Sequence, residues 1–384
     1  MPCVEREIQE EIYHFTTCTY LERNFIFVKR ILLTLSLLSI TLGGSQLEAA
    51  TGSNVSATPK VTATQKVTAT QKVVSYYAEN YPGDLAAYTS LHHYQDRISD
   101  VAFFNYNATK EGYLVGALPK TALQLTKDTK KGSFLVITNH GKKLFDKEIV
   151  HSILTNKDYK ARFIQQVLTT VQQNQLSGAN LDFENVPAED RQAYSSFVGS
   201  LADQLHAIKK QLIVSVPAKT NDDPAIFWVY GFDLKALGAK ADYLQLMTYD
   251  EHGTWSEEGP VASYNWVEDV VRYSVSQVPA YKLLMGIPSY GYEWSTEKKR
   301  AVSFRNIPAI IKENQAVPAW HDTYKSPYLH YMKNGVWHTL WYENEYSIAA
   351  KRSLAIKYKL AGFAIWRLGY ENDTFWTALL PKKS

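Results

Sequence analysis

The stretch SGANLDFENV, from Ser177 to Val186, decides how this sequence folds. In a β-strand, side chains two residues apart face the same side, so Asn180, Asp182 and Glu184 all point one way. Polar side chains facing an apolar interior cost several kcal/mol unless they have partners or a purpose. Catalytic groups gather at the C-terminal ends of barrel strands, which is where Glu184 falls. The stretch therefore predicts an inward-facing catalytic strand, with a purely structural carboxylate network as the alternative.

Short apolar runs that alternate with amphipathic helical periods surround this strand from Val73 onward. Their nearly continuous apolar character is typical of parallel strands buried on both faces, and the alternation predicts βαβ units. The predicted strands are Val73–Ala78, Val101–Tyr106, Ser133–Thr138, Gly178–Phe183, Leu212–Pro217, Tyr243–Tyr249, Lys282–Pro288 and Ala361–Trp366. Eight strands of this kind predict an α/β protein with a closed (β/α)8 TIM barrel.

The interval between the seventh and eighth predicted strands is too long for one loop. It contains aromatic, strand-like pieces around Trp294, Tyr331 and Val336–Tyr342. We therefore predict a small α+β subdomain at residues 289–360, inserted beside the C-terminal rim of a catalytic barrel that spans residues 74–384.

The first fifty residues have the features of an export signal. Lys29 and Arg30 precede the apolar run Ile31–Gly44, and small residues follow it. The run is shorter than the ~20 residues of a membrane span. We expect a signal peptide at residues 1–50, with an uncleaved anchor as the alternative, and a true translation start at Val28.

Residues 51–73 repeat the polar unit TATQKV and predict a low-complexity spacer. Both cysteines, Cys3 and Cys18, precede it, so the mature chain would carry no disulfide and no thiol nucleophile.

The net charge of +3 is spread along the chain, which argues against nucleic acid as a partner. The histidines lack metal-ligand spacing, and we expect neither a metal nor an organic cofactor.

Taken together, four segments resemble glycoside hydrolase family 18. SGANLDFENV resembles the family signature DxxDxDxE, in which the last Glu is the general acid. Gln245–Asp250 resembles the family's Met-x-Tyr-Asp strand, and Gly286–Gly291 resembles its seventh strand with the following turn. Gly362–Gly369 resembles its last strand, which carries the sugar-stacking Trp. The segments NLDFENV, LQLMTYDEHG and LWYENEYS are most similar to those of the bacterial spore cortex-lytic and cell-wall branch of the family.

The resemblance implies a role for each matching residue. Glu184 would protonate the glycosidic oxygen, and Asp182 would hold the N–H of the substrate's own acetamido group, which acts as the nucleophile. Tyr249 would donate its hydroxyl to the acetamido carbonyl. The remaining implied substrate contacts are Asn180, Met247, Asp250 and Trp366.

Two positions depart from the family pattern, since Ser177 and Asn180 stand where chitinases usually have Asp. The Asn180 amide can donate a hydrogen bond to Asp182 without like-charge repulsion, which we expect to change the pH profile and not to abolish activity. The third-strand motif SxGG of chitinases is also missing; Thr138, Asn139 and His140 stand there.

Other candidates carry alternatives. Tyr77 would line the pocket or serve packing. Asn139 and His140 end the third strand, where they could contact the sugar or not reach it, and Glu343 would bind substrate or pair with a nearby Lys or Arg. A catalytic role for His252 competes with a loop histidine bonded to the backbone. Trp255, Trp294 and Trp341 are candidates for the cleft wall.

The predicted signal implies export, and the resemblance implies a glycosidase, associated with the cell wall or spore, that cleaves β-1,4 bonds at N-acetylglucosamine in peptidoglycan; we expect a secreted monomer. A chitinase that uses the same residues is the alternative enzyme. An inactive carbohydrate-binding lectin on the same barrel is the alternative of another class, although such proteins usually lose the terminal acid, and Glu184 is present.

Overall fold

The computed structural model describes residues 71–141 and 144–381, so the predicted signal peptide and nearly all of the predicted spacer lie outside the described residues. The strands are β1 (Lys72–Tyr77), β2 (Asp100–Ala108), β3 (Leu114–Gly116), β4 (Gly132–Thr138), β5 (Gly178–Asp182), β6 (Gln211–Pro217), β7 (Tyr243–Met247), β8 (Leu283–Pro288), β9 (Tyr290–Ser295), β10 (Lys299–Ser303), β11 (Ala319–His321), β12 (Ser326–Lys333), β13 (Val336–Trp341) and β14 (Gly362–Trp366). The α-helices are α1 (Ala86–Tyr94), α2 (Lys120–Asp128), α3 (Lys147–Thr155), α4 (Lys157–Gln173), α5 (Arg191–Ala207), α6 (Phe227–Tyr230), α7 (Leu234–Lys240), α8 (Tyr264–Gln277), α9 (Ile307–Glu313), α10 (Glu345–Lys357) and α11 (Asp373–Leu379).

Eight parallel strands close into a barrel, because β1 pairs with β14 on one side and with β2 on the other. Around the barrel the order is β1, β2, β4, β5, β6, β7, β8 and β14, and β3 adds an antiparallel edge to β2. The predicted (β/α)8 barrel with an insertion between its seventh and eighth strands is confirmed.

Alternation along the strands divides the core into two layers. The inner layer fills the barrel and includes Val74, Tyr76, Phe134 and Ile213. The outer layer lies between strands and helices and is far larger. Capping side chains set the start of some helices; the Asn156 carboxamide oxygen, for example, accepts two backbone N–H groups at the start of α4.

The insertion forms a second, antiparallel sheet in the order β10-β9-β13-β12-β11. One face of this sheet packs against α9 through a core that includes Ile307, Leu329 and Leu340. The sheet ends at Trp341, and α10, which begins with a capping box at Asn344, returns the chain to β14. None of the helices in the described part of the chain combines the length and apolar character that crossing a bilayer requires.

Candidate active site

The inward face of β5 forms the floor of the site. Asn180 is buried, and its carboxamide oxygen accepts a 2.6 Å hydrogen bond from the Tyr76 hydroxyl. Its Nδ2 donates to the Ser215 hydroxyl at 3.1 Å and to the Ile213 carbonyl at 3.4 Å. The expected direct bond from Asn180 to Asp182 is therefore wrong, because the amide hydrogens are already directed at β6.

Asp182 and Glu184 rise from this floor toward the mouth of the barrel. Burial raises the pKa of the Asp182 carboxyl above its usual value, and a hydrogen bond with Ser215 offsets part of the rise. The pKa of Glu184 is raised well above its usual range, first by burial and then by the negative charges of Asp182 and Asp250. Glu184 therefore holds its proton at a pH where an exposed carboxyl has lost it.

Asn139 fixes the backbone of Glu184. Its carboxamide oxygen accepts the Glu184 N–H at 2.9 Å, and its Nδ2 donates to the Glu184 carbonyl at 2.9 Å and to the Asp146 carbonyl at 3.1 Å. The side chain is fully buried. These contacts correct the predicted sugar contact of Asn139, because its polar atoms are occupied by the protein, and they make it a positioning residue.

Tyr249 follows β7 and faces the same mouth. Its hydroxyl accepts a hydrogen bond from Gln245 Nε2 at 3.2 Å. Burial and the nearby phenol of Tyr76, followed by the Asp182 charge, raise the pKa of Tyr249 well above its usual range, so it stays a hydrogen-bond donor. Met247 lies two residues before it on the strand and is half-buried. A Cβ at Gly286 would come within 2.7 Å of the Tyr249 ring, so only glycine leaves room for that ring.

Asp250 is held by tyrosines of the second sheet. Tyr290 and Tyr292 donate their hydroxyls to the same carboxylate oxygen at 2.5 and 2.9 Å. Asp250 borders the open mouth, yet the surrounding protein removes enough water from its carboxylate to raise its pKa to about 6, against the lowering effect of both tyrosines. Its φ of 63° lies in the left-handed region, which Asp tolerates better than most residues.

Trp366 closes the opposite side of the mouth at the end of β14. Its half-buried ring meets Tyr76 and Phe104 edge-on, with centroids 5.5 and 4.9 Å apart. The Ser289 hydroxyl contacts the backbone on both sides of the cis peptide bond between Trp366 and Arg367. A flat apolar face therefore lies across the barrel from Glu184.

The strands thus bring together a carboxyl with a raised pKa, two further carboxyls, a phenol and a half-buried indole at one barrel mouth. The model of the glycosyl hydrolases family 18 matches residues 72–371 of this chain. The chain belongs to glycosyl hydrolase family 18. It is a glycoside hydrolase, and the resemblance in the sequence is confirmed.

Relatives of this family 18 chain include Bacillus glycosylases and a chitinase of known structure. The uncharacterized glycosylase YvbX of Bacillus subtilis is 36% identical over 77% of this chain and 88% of its own length. The cortical fragment-lytic enzyme of the same organism is 28% identical over 72% of this chain and 66% of its own. Among solved structures, a chitinase from Chromobacterium violaceum is 35% identical, covers 81% of this chain and 98% of its own, and superposes with a TM-score of 0.76. The Bacillus cereus spore cortex-lytic enzyme SleL, 24% identical over 81% of this chain and 73% of its own, shares the fold with a TM-score of 0.77.

Tyr77 is not in the family 18 site, which corrects its predicted pocket role in favour of the packing alternative. Its ring packs in the outer layer against Phe103, and its hydroxyl donates to Glu79 at 3.0 Å. The inward residue of β1 is its neighbour Tyr76, which sequence reasoning missed. The alternation of the strand could have identified Tyr76, because Val74 and Tyr76 share one face. An error of one residue in the register exchanges the two faces.

Glu343 also lies outside the site. It is buried, and both its oxygens contact Lys351 Nζ, at 2.9 and 2.8 Å, while the Ser347 hydroxyl donates to one of them at 2.6 Å. These contacts correct its predicted substrate role in favour of the structural alternative.

The remaining candidates are resolved by their contacts. His140 stacks on Phe145 at 4.3 Å, and burial lowers its pKa to about 4, so it is neutral. His252 contacts the Pro260 carbonyl at 3.1 Å, as a loop histidine does. Trp294 and Trp341 are buried, whereas Trp255 is half-buried and meets the Tyr292 ring edge-on. Over residues 71–141 and 144–381, no group of three or more His, Cys, Asp or Glu side chains is placed to hold a metal ion.

Proposed function

We propose that this glycosidase hydrolyses β-1,4 bonds at N-acetylglucosamine in peptidoglycan of the spore cortex or cell wall, with retention and with the substrate's acetamido group as nucleophile. The observation that carries the proposal is the raised pKa of Glu184 at the barrel mouth, beside the buried Asp182. A general acid needs its pKa near the working pH, and these neighbours supply that shift.

In the first step, Glu184 gives its proton to the glycosidic oxygen as the bond from that oxygen to C1 breaks. The acetamido carbonyl oxygen forms a bond to C1, and the positive charge spreads over the resulting oxazolinium ring. Asp182 accepts the acetamido N–H and stabilises that charge. Tyr249, kept as a phenol, donates to the acetamido oxygen and directs it at C1.

In the second step, Glu184 accepts a proton from water as the water oxygen attacks C1. The bond from the acetamido oxygen to C1 breaks, which opens the oxazolinium ring. The sugar leaves with its original configuration, and Glu184 is protonated again. Trp366 supports the ring of the sugar that bears the acetamido group. Asp250 and Met247 line the mouth around it.

Two kinds of relative bear on which polymer this glycosidase cleaves. The likeness to the cortical fragment-lytic enzyme and to the putative sporulation-specific glycosylase YdhD, which is 30% identical, supports peptidoglycan. The likeness to the Chromobacterium violaceum chitinase supports chitin as the second candidate. A lectin needs no proton donor, so a raised pKa of Glu184 favours an enzyme. The predicted export signal fits an extracellular polymer, and we propose a secreted monomer.

Product analysis tests the proposal. Purified spore cortex, vegetative peptidoglycan and chitin are digested separately; NMR records the anomer of each new reducing end before it mutarotates, and the ends are then reduced and identified. The expected result is N-acetylglucosamine at the new reducing ends of cortex or vegetative fragments, formed as the β-anomer, with Glu184→Gln as the inactive control. Release of chitin fragments alone would establish the second candidate, and inversion at C1 would reject the acetamido nucleophile.

A further inference from the structure

The imidazole of His140 stands at the barrel mouth beside the proposed acid. Thr138 pairs with Asp182 across β4 and β5, so the next inward positions along these two strands are His140 and Glu184. The His140 ring meets Phe104 edge-on, with centroids 6.1 Å apart, and Phe104 packs against the inner layer of the barrel. His140 itself is half-buried, so its ring lies where the barrel opens.

Asn107 on β2 fixes the backbone of His140. Its Nδ2 donates to the His140 carbonyl at 2.5 Å, and its Oδ1 accepts the His140 N–H at 2.6 Å. A backbone N–H must face the carboxamide oxygen and a carbonyl must face the nitrogen, so these two contacts determine the orientation of the Asn107 side chain. Asn107 Oδ1 is therefore an acceptor at a known place.

The Thr138 hydroxyl connects this acceptor to the imidazole. Its oxygen lies 2.9 Å from Asn107 Oδ1 and 2.9 Å from His140 Nδ1. Because Oδ1 has no hydrogen, the single hydroxyl hydrogen of Thr138 must be directed at it. The hydroxyl then offers only a lone pair to the imidazole. Nδ1 of His140 therefore carries a hydrogen and donates it to Thr138.

The second ring nitrogen of His140 is left as an acceptor. Burial lowers the pKa of His140 to about 4, so the neutral ring holds one hydrogen, which the contact with Thr138 assigns to Nδ1. Stacking on Phe145 at 4.3 Å fixes the plane of the ring. Over residues 71–141 and 144–381, no side chain or backbone group donates a hydrogen bond to Nε2. An oriented lone pair is therefore available to a ligand.

We infer that Nε2 of His140 accepts a hydrogen bond from a hydroxyl group of the sugar chain at the mouth, and that His140 thereby selects among sugars. The inference rests on the proposed polysaccharide substrate. Sugar hydroxyls are donors, whereas an ether or ester oxygen has no hydrogen to give, so the contact favours a free hydroxyl over a lactyl ether or an acetyl ester at that position. The glycines of the SxGG motif, which is missing here, would present no such side chain.

NMR spectroscopy tests both the tautomer and the contact. Proton–nitrogen correlation spectra of the imidazoles are recorded for the full chain carrying Glu184→Gln, which prevents turnover, alone and with a soluble N-acetylglucosamine trimer or soluble cortex fragments. Adding His140→Phe identifies the His140 signals by their loss. Nδ1 should carry the hydrogen, and the chemical shift of Nε2 should move towards that of a protonated nitrogen when sugar binds. The His206 signals are the control, because that ring contacts Asp242 at the opposite end of the barrel.

Steady-state kinetics test the contribution of the contact. His140→Phe keeps a flat ring against Phe145 but removes the acceptor, so KM for the trimer should rise about two- to tenfold with little change in kcat, the size of one neutral hydrogen bond. His140→Gln supplies an acceptor oxygen and should recover part of the loss. Thr138→Val removes the partner of Nδ1, so it should raise KM less and move part of the hydrogen to Nε2. His206→Phe, the matched control, should keep the wild-type KM.

Three results would overturn the inference while leaving the proposed function in place. They are a hydrogen on Nε2 in the free chain, an Nε2 signal that stays fixed while tryptophan fluorescence shows saturation with sugar, and an unchanged KM in His140→Phe. A chain that neither sugar saturates would contradict the contact and the proposed function together. A chain whose Nε2 signal responds to sugar but that cleaves no polymer would contradict the proposed function alone.

Discussion

The Asn139 side chain makes two hydrogen bonds to the backbone of Glu184, accepting its N–H and donating to its carbonyl, both at 2.9 Å. A carboxamide is the only common side chain of this length that can do both at once. It ties the end of β4 to the residue that leaves β5. The position of the proposed acid is thus set by the neighbouring strand as well as by its own.

Asn139→Ala is therefore expected to lower kcat by about ten- to hundredfold with a small change in KM, because small misplacements of a catalytic group cost that much. The pH at which kcat falls on the basic side should also shift, since Glu184 moves relative to Asp182. Asn174→Ala is the matched control, because that amide donates to the Thr170 carbonyl at the end of α4. A loss of stability with an unchanged pH profile would mean that Asn139 serves folding alone.

Glu184→Gln should lower kcat about 10²–10⁴-fold, the usual cost of removing a general acid, while sugar binding persists. Its effect on stability has a defined sign. The raised pKa of Glu184 gives the folded state a tighter hold on the proton, and that advantage is lost as pH rises through the folded pKa. The variant should therefore gain in Tm relative to wild type as pH increases. Thermal unfolding across pH measures this, and a gain in Tm that shrinks with pH would contradict it.

The same argument applies separately to Asp250, whose pKa is raised to about 6. Its contribution to stability is fully present below the ordinary carboxyl pKa of ~4 and is lost as pH rises through about 6. Asp250→Asn keeps an oxygen to accept from Tyr290 and Tyr292. The wild-type Tm should fall more steeply than that of the variant between these two pH values. Parallel curves would show that Asp250 titrates normally.

Much of this molecule could be predicted from the sequence, because continuous apolar runs and intervening helical periods identify parallel strands without knowledge of their partners. The polar residues on β5 follow from alternation alone, since Asp182 and Glu184 sit two apart on a strand. Tyr77 shows the limit of that argument. VVSYYA is apolar on both faces, so nothing local fixes which tyrosine points inward, and the choice of Tyr76 depends on the register of β1 against β2 and β14.

Long-range contacts account for the remaining corrections. Asn180 is directed at Ser215 and Tyr76, which lie 35 and 104 residues away in sequence, and no local pattern reports such a partner. The clamp of Asp250 by Tyr290 and Tyr292 depends likewise on how the second sheet folds back over the mouth. The sequence indicated aromatic strands there, but it did not indicate what they hold.

Gly286→Ala tests whether Tyr249 acts through its exact position. The added Cβ would come within 2.5 Å of the Leu246 carbonyl and 2.7 Å of the Tyr249 ring, so the ring must shift. Tyr249→Phe removes the hydroxyl in place and should lower kcat about 10²–10³-fold, as loss of a donor to a developing charge does. Gly286→Ala should show a loss in the same direction while retaining the hydroxyl. A fully active Gly286→Ala enzyme would show that the phenol needs no fixed position.

Variants of the buried pair of Glu343 and Lys351 test whether Glu343, which was predicted to bind substrate, contributes to stability or to catalysis. Both side chains are almost completely inaccessible, and Ser347 completes the shell of the carboxylate. Lys351→Met leaves Glu343 as an unpaired buried charge, which typically costs ~3–5 kcal/mol. Adding Glu343→Gln removes that charge, so the double variant should recover much of the loss in urea unfolding. If Glu343 is structural, the folded double variant keeps wild-type KM for a soluble oligosaccharide. A KM that rises in Glu343→Gln while the free energy of unfolding is unchanged would return this residue to the substrate site.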